Sequence, residues 1–109
     1  MPVGADFNEE ERRQAKRDGA TLVKNSGRGL RKGDAILGNL MLDYKFTSKN
    51  SYTINRSKLN DFRSQAWREQ KEPVVVVIFT DERQQELAIC DWQYLKDLQE
   101  ENGRLREQV

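Results

Sequence analysis

Three charged residues in one short stretch are candidates for metal-assisted hydrolysis. Asp34 begins an apolar run, and Asp43 and Lys45 end the next one. The pair Gly38-Asn39 separates the two runs and predicts a tight β-hairpin, because glycine accepts a positive φ at no steric cost. The outer ends of an antiparallel hairpin lie side by side. We therefore expect the two carboxylates to converge.

The alternation of side chains along a strand places Lys45 with the acids. Successive residues point to opposite faces of a sheet, so Asp43 and Lys45 share one face. Leu42, Tyr44 and Phe46 take the other face and are expected to be apolar core. The sequence thus predicts two acids and one ammonium at the rim of a strongly apolar pair of strands.

This combination suits the hydrolysis of a phosphodiester bond. Asp34 and Asp43 can together bind one or two divalent cations, which polarise the phosphate and lower the pKa of a bound water. Lys45 can position or deprotonate that water, or neutralise charge that builds on the phosphate. Its ammonium also makes clustered carboxylates tolerable. Glu11, in a predicted first helix, is expected to complete the metal shell, with Glu10 as the alternative.

Composition limits the chemistry that is available. The chain has 109 residues, no histidine and one cysteine, Cys90, which excludes a zinc site, a histidine-based triad and an internal disulfide. A bound metal must then have oxygen ligands, which favours Mg²⁺ or Mn²⁺. No apolar run is long enough to span a membrane, and the N-terminus lacks a signal pattern. We expect a cytoplasmic protein.

The charge is divided unevenly along the chain. Residues 1–71 hold 15 Lys and Arg against 9 Asp and Glu, whereas residues 72–109 hold 4 against 9. The first part has the balance of a surface that faces phosphates. Its glycine-rich stretch, residues 25–33, lacks the spacing of a nucleotide-binding P-loop, so we interpret it as a loop that contacts a nucleic-acid backbone.

The remaining patterns predict helices that cover a sheet. The expected helices span residues 9–18, about 56–70 and about 92–106, and the expected strands span residues 20–24, 74–79 and 86–90, with a further short extended piece at 52–54. The second helix should bury a stripe of Leu59, Phe62, Ala66 and Trp67. The unbroken apolar run 74–79 is typical of a strand that is buried on both faces, and we expect it at the centre of the sheet. No linker appears, so we expect a single domain over residues 1–109.

The last helix carries a spacing of its own. Leu95, Leu98, Asn102, Leu105 and Val109 follow the 3-4-3-4 pattern of a coiled-coil seam. Two heptads are short, and Gly103 weakens a helix. A short dimer seam and a frayed tail both remain open.

Taken together, these motifs resemble the PD-(D/E)XK nuclease superfamily, and most of all the archaeal and bacteriophage Holliday junction resolvases. The resemblance covers about residues 8–95 and lies in a helical acid, Ser26-Gly27, Gly33-Asp34, Asp43-Tyr44-Lys45, Thr47-Ser48-Lys49, a basic helix and the strand 74–79. Gly33 replaces the proline for which the superfamily is named, and the middle acid is Asp rather than the commoner Glu.

The resemblance implies a fold and a site. The fold is a restriction-endonuclease-like mixed sheet flanked by helices, with an α-β-β-β-α-β core, here followed by a C-terminal helix. Asp34 and Asp43 would bind Mg²⁺, Lys45 would assist hydrolysis, and Glu11 or Glu10 would join them. The residues expected to contact DNA are Ser26, Arg28, Arg31, Lys32, Lys49, Arg56 and Arg63.

The function expected from this resemblance is cleavage of branched DNA, such as a four-way junction, in a phage or its prokaryotic host. Junction cleavage requires two active sites that face paired strands, so we expect a homodimer, formed either through the apolar seam of the last helix or through faces near Tyr52 and Trp67. Two alternatives remain open at this point. One is a nuclease of the same superfamily with another substrate class, such as a nicking repair enzyme, and the other is a catalytically silent DNA-binding module.

Overall fold

A computed structural model describes residues 9–23 and 34–107 of the chain. It confirms a mixed α/β fold, with a five-stranded mixed sheet and three helices in these ranges. The elements in chain order are α1 (Glu9–Asp18), β1 (Thr21–Leu22), β2 (Asp34–Leu37), β3 (Leu40–Thr47), α2 (Arg56–Arg68), β4 (Glu72–Phe79), β5 (Glu86–Ile89) and α3 (Trp92–Glu107).

The strands lie in the sheet in the same order as in the chain. β3 and β4 are parallel and are connected through α2, whereas every other neighbouring pair is antiparallel. The prediction that residues 74–79 form the centre of the sheet was wrong. β3 is the middle strand, because β1 and β2 lie on one side of it and β4 and β5 on the other.

The hairpin between β2 and β3 is confirmed. Gly38 has a φ of 59° in the two-residue turn, where a β-carbon would be strained. The ladder pairs Leu37 with Leu40 next to the turn and Asp34 with Asp43 at the far end. This register keeps the apolar residues of the two strands opposite one another.

Two apolar layers lie on opposite faces of the sheet. Ala15 of α1 packs with Leu42, Tyr44 and Ile78 on one face. Phe62 and Ala66 of α2 pack on the other face, in a cluster whose strand residues are Met41, Val75 and Val77. The alternation predicted for β3 is therefore confirmed, and β4 is buried on both faces as expected.

Local signals set most helix ends. Gly19, with a φ of 75°, follows the last residue of α1. Asn55 caps α2, and its side chain accepts a 3.0 Å hydrogen bond from the backbone N–H of Lys58. The stripe of α2 is confirmed at Phe62 and Ala66, but Trp67 was wrongly included, since it is 45% exposed.

Two short segments differ from expectation. Of the strand predicted at 20–24, the described residues 20–23 form strand only at Thr21–Leu22, while residue 24 lies outside the described part of the chain, and residues 52–54 belong to no strand. Both segments have suitable composition, but strand structure requires a hydrogen-bonded neighbour, which composition does not specify.

The last helix, α3, begins after Asp91 as predicted and extends to Glu107. None of its described residues is buried. No helix in the described ranges is both long and apolar enough to cross a membrane.

Candidate active site

Asp43 and Lys45 lie on the face of β3 that α2 covers. The Nζ atom of Lys45 is 3.5 Å from Oδ2 of Asp43. The side chain of Asp43 is only 8% exposed, whereas that of Lys45 is 38% exposed. A buried acidic side chain is usually paired with a cation or with hydrogen-bond donors. Lys45 supplies such a cation and still reaches solvent.

Asp34 occupies the position opposite Asp43 in the β2–β3 ladder. Positions that pair directly across an antiparallel ladder are the closest cross-strand neighbours. β2 begins at this pair, while β3 continues to Thr47 in its ladder with β4. The two aspartates therefore stand at the level where the β2–β3 ladder ends.

Glu11 is the α1 acid that shares the electrostatic environment of these residues. Partial burial raises the pKa of its carboxyl above the usual value of 4.5, and the Asp43 carboxylate raises this pKa further. Lys45 acts in the opposite direction. Glu9 and Glu10 are exposed, whereas Glu11 is half-buried. Among Glu9, Glu10 and Glu11, between which the sequence could not choose, Glu11 is the one that is half-buried and electrostatically coupled to Asp43.

A network of polar side chains holds α1 on the sheet. Gln14, only 3% exposed, donates a 2.8 Å hydrogen bond to Oε1 of Glu86 on β5. The hydroxyl of Tyr44 on β3 donates a 2.9 Å bond to Asp18 near the end of α1. Glu11 lies three residues before Gln14, on the same helix that these bonds attach to the sheet.

A cleft of about 260 Å³ opens beside Asp43 and Lys45. The residues that line it, besides these two, are Tyr52, Thr53, Ile54, Asn55, Lys58, Leu59, Phe62, Val75 and Ile89. Asn55 is the N-cap of α2 and Lys58 lies in its first turn, where the positive end of the helix dipole favours an anion.

The residues expected to contact DNA differ in their surroundings. Lys49 and Arg56 are exposed, at the turn after β3 and at the start of α2. Arg63 instead makes a 3.0 Å salt bridge with Asp91 and lies 4.7 Å from the ring centroid of Trp67. These intramolecular contacts give Arg63 a structural role. The predictions for Ser26, Arg28, Arg31 and Lys32 lie outside the described residues.

The residues that could bind a metal ion at this site are acidic side chains, which offer oxygen ligands. Among the described side chains, no group of three or more acidic or Cys residues is arranged to hold a metal ion. Glu11 and Asp43 supply two carboxylates, and the register places a third acidic residue, Asp34, opposite Asp43. This set has the hard oxygen chemistry that Mg²⁺ and Mn²⁺ prefer.

Sequence reasoning missed two parts of the site. It assigned no role in the site to Tyr52 and Lys58, and it did not connect Gln14, Asp18 and Tyr44 to Glu86. Lys58 precedes the buried Phe62 by one helical turn, and this spacing alone would have indicated a position beside the core. The link to Glu86 joins residues far apart in the chain, and no local pattern signals it.

No protein-family model matches the chain, and no curated protein or solved structure is significantly similar to it.

Proposed function

We propose that this protein is a magnesium-dependent endonuclease of the PD-(D/E)XK type, resembling the Holliday junction resolvases, that hydrolyses phosphodiester bonds in branched DNA. One observation carries the proposal. Asp43, paired with Asp34 across the hairpin, is buried 3.5 Å from the ammonium of Lys45 and within electrostatic range of Glu11. Two aspartates paired at the end of a ladder, with a lysine beside one of them and an acid of α1 electrostatically coupled to it, are the residue types that metal-assisted hydrolysis requires.

The donor atoms fit the metal. Asp34, Asp43 and Glu11 would hold it, and a bound Mg²⁺ would supply Lewis acidity to the phosphate and to a water. Burial and, after it, repulsion from Asp43 raise the pKa of Glu11, and this supports the assignment because two neighbouring carboxylates that repel one another gain from a shared cation.

Lys45 has two roles in this proposal. Its ammonium lies 3.5 Å from the Asp43 carboxyl group and would help to keep that side chain in place as a metal ligand. Its exposed end can also donate a hydrogen bond to a phosphate oxygen, or orient the attacking water, as negative charge develops on the phosphate. Since the side chain is 38% exposed, a DNA backbone can reach it without rearrangement of the sheet.

The recessed position of Asp43 supports a branched substrate. The cleft beside it, of about 260 Å³, is slightly smaller than typical ligand sites of roughly 300–1,000 Å³, and in this proposal a single nucleotide enters it. A nucleotide must leave the base stack to enter, and this costs least at a branch point, where stacking is already interrupted. Tyr52 offers a stacking surface, and Lys58 a contact for the adjoining phosphate.

The order of elements supports the finer fold assignment. The sequence α1, β1, β2, β3, α2, β4 has the α-β-β-β-α-β order of the restriction-endonuclease-like core, with β5 and α3 added. The α2 crossover leaves β3 and β4 parallel. In this proposal β3 carries the acid-x-Lys tripeptide, Asp43 to Lys45, next to the buried strand β4.

Cleavage of synthetic DNA tests the proposal. A four-way junction and a linear duplex of the same arm sequence are incubated with Mg²⁺ and the parent protein, Asp43→Asn, or the matched control Asp61→Asn on the exposed side of α2. We expect the junction to be nicked preferentially. Asp43→Asn should lose at least about 100-fold in rate and bind DNA as well or better, because a negative charge facing phosphate is removed. Asp61→Asn should behave as the parent.

The remaining outcomes separate the alternatives. Equal cleavage of duplex and junction would favour a PD-(D/E)XK nuclease of another substrate class. Binding without cleavage by the parent protein would favour a silent DNA-binding module. Full activity of Asp43→Asn would overturn the catalytic assignment. A Mn²⁺ titration followed by calorimetry gives a readout besides activity, since Asp43→Asn should weaken Mn²⁺ binding even without DNA.

A further inference from the structure

The helix α3 presents a line of apolar side chains to solvent. Leu95 is 47% exposed, Leu98 38% and Leu105 55%, and none of the described residues of α3 is buried. Together with Asn102, these residues follow a 3-4-3 spacing, and we call this set the α3 seam. No element within residues 9–23 and 34–91 buries it.

The spacing of the α3 seam is that of a two-stranded coiled coil. In heptad notation Leu95 and Asn102 occupy a positions, and Leu98 and Leu105 occupy d positions. A single asparagine at an a position is best satisfied by the same asparagine of an identical helix, since the two amides can hydrogen-bond to one another. This favours a parallel, in-register partner.

Charges beside the seam favour the same arrangement. Glu101 lies at a g position and Arg106 at the e position five residues later. In a parallel pair, residue g of one helix contacts residue e of the next heptad in its partner. Glu101 of each copy would then meet Arg106 of the other, giving two symmetric ion pairs. In an antiparallel pair, g positions face g positions and e positions face e positions. That arrangement would form neither of the two Glu101–Arg106 ion pairs.

We propose that a second copy of this chain covers the α3 seam, through a parallel two-stranded coiled coil of the two α3 helices. The occupant follows from self-complementarity in the apolar, amide and charged positions of one helix. The resulting contact has the two-fold symmetry of a closed homodimer. The inference rests on α3 alone and holds whether or not the protein is a nuclease.

Disulfide trapping tests the alignment. In a Cys90→Ser background, Leu98→Cys places a thiol in the seam, and Glu100→Cys places one at an outward f position as the matched control. Equivalent d positions of a parallel pair are close enough for a disulfide. Under mild oxidation we expect a covalent dimer with Leu98→Cys only. No dimer with Leu98→Cys, or equal yields from both variants, would overturn the proposal.

Sedimentation equilibrium tests the ion pairs without altering the seam. We expect the parent protein to dimerise in a concentration-dependent way. Glu101→Lys and Arg106→Glu should each raise the dimer dissociation constant about tenfold, because two attractive contacts become repulsive, and the double variant should restore dimerisation. Gly103→Ala should strengthen the dimer through higher helix propensity. A parent protein that stays monomeric, or a double variant weaker than both single ones, would contradict the parallel register.

Discussion

Tyr44 on β3 donates a 2.9 Å hydrogen bond to Oδ2 of Asp18, at the C-terminal end of α1. The Tyr44 residue is only 5% exposed, and burial together with its carboxylate acceptor raises the pKa of the hydroxyl. This bond joins the layer on one face of the sheet to the helix that carries Glu11. A contact remote from the proposed chemistry therefore helps to position one of its carboxylates.

Removal of that hydroxyl should loosen α1. Tyr44→Phe keeps the ring in the core and deletes one hydrogen bond, so the free energy of unfolding should fall by about 1 kcal/mol. Asp18→Asn can still accept from Tyr44, and we expect it to cost less. Denaturant melts measure both. If Tyr44→Phe is as stable as the parent protein, the hydroxyl does not hold α1.

The ammonium of Lys45 should matter more for turnover than for DNA binding. Lys45→Met keeps the length of the stem but removes the ammonium that lies 3.5 Å from Asp43 and that, in the proposed mechanism, contacts the phosphate. We expect cleavage to slow by about 10²–10⁴-fold, with DNA affinity within a few-fold of the parent. The control is Lys96→Met on α3, which should cleave normally. A loss confined to DNA affinity would make Lys45 a binding residue only.

Glu11 should make stability depend on pH in a definite direction. Its pKa is raised in the folded protein, so the folded state holds the proton more tightly than the unfolded chain. At a pH well below 4.5, Glu11 is protonated in both the folded and the unfolded state, so its raised pKa does not lower the free energy of unfolding. As the pH rises from the unfolded pKa through the folded pKa, the Glu11 contribution to stability falls, and the penalty is complete above the folded pKa.

The variant Glu11→Gln isolates this contribution. Without metal, it should gain stability relative to the parent as the pH rises above 4.5, whereas the two should differ little below that value. Added Mn²⁺ should make the parent protein more stable than Glu11→Gln at neutral pH, because only the parent has the Glu11 carboxylate in addition to Asp34 and Asp43. Melting curves with chelator and with Mn²⁺ between pH 4 and pH 7 provide the measurement. A stability difference that is independent of pH would contradict the electrostatic role of Glu11.

Tyr52 should contribute to recognition of an unstacked nucleotide. Loss of one base–aromatic contact costs about 1–3 kcal/mol, so Tyr52→Ala should lower kcat/KM on branched DNA by roughly 5- to 150-fold. Tyr52→Phe keeps the ring and should retain most activity. A 2-aminopurine beside the cleaved phosphate reports unstacking by its fluorescence, which should rise on binding to the parent protein. An unchanged signal would mean that no base enters the cleft.

The sequence by itself determined the elements whose signals are local. Alternation placed Asp43 and Lys45 on one face of β3, and Gly38 set the turn that pairs Asp34 with Asp43. The ends of α1 and most of α2 followed from caps and periodicity. These features depend on residues only a few positions apart, so they could be predicted without knowledge of the packing.

Only the tertiary structure decided which side chains meet across the chain. It distinguished Glu11 from Glu10, because burial and the approach to Asp43 depend on how α1 lies on the sheet. It tied Arg63 to Asp91, and it opened the cleft beside Asp43. It also left α3 without a buried residue. Such contacts join residues far apart in sequence and arise from the packing of whole elements, which the local pattern of residues does not encode.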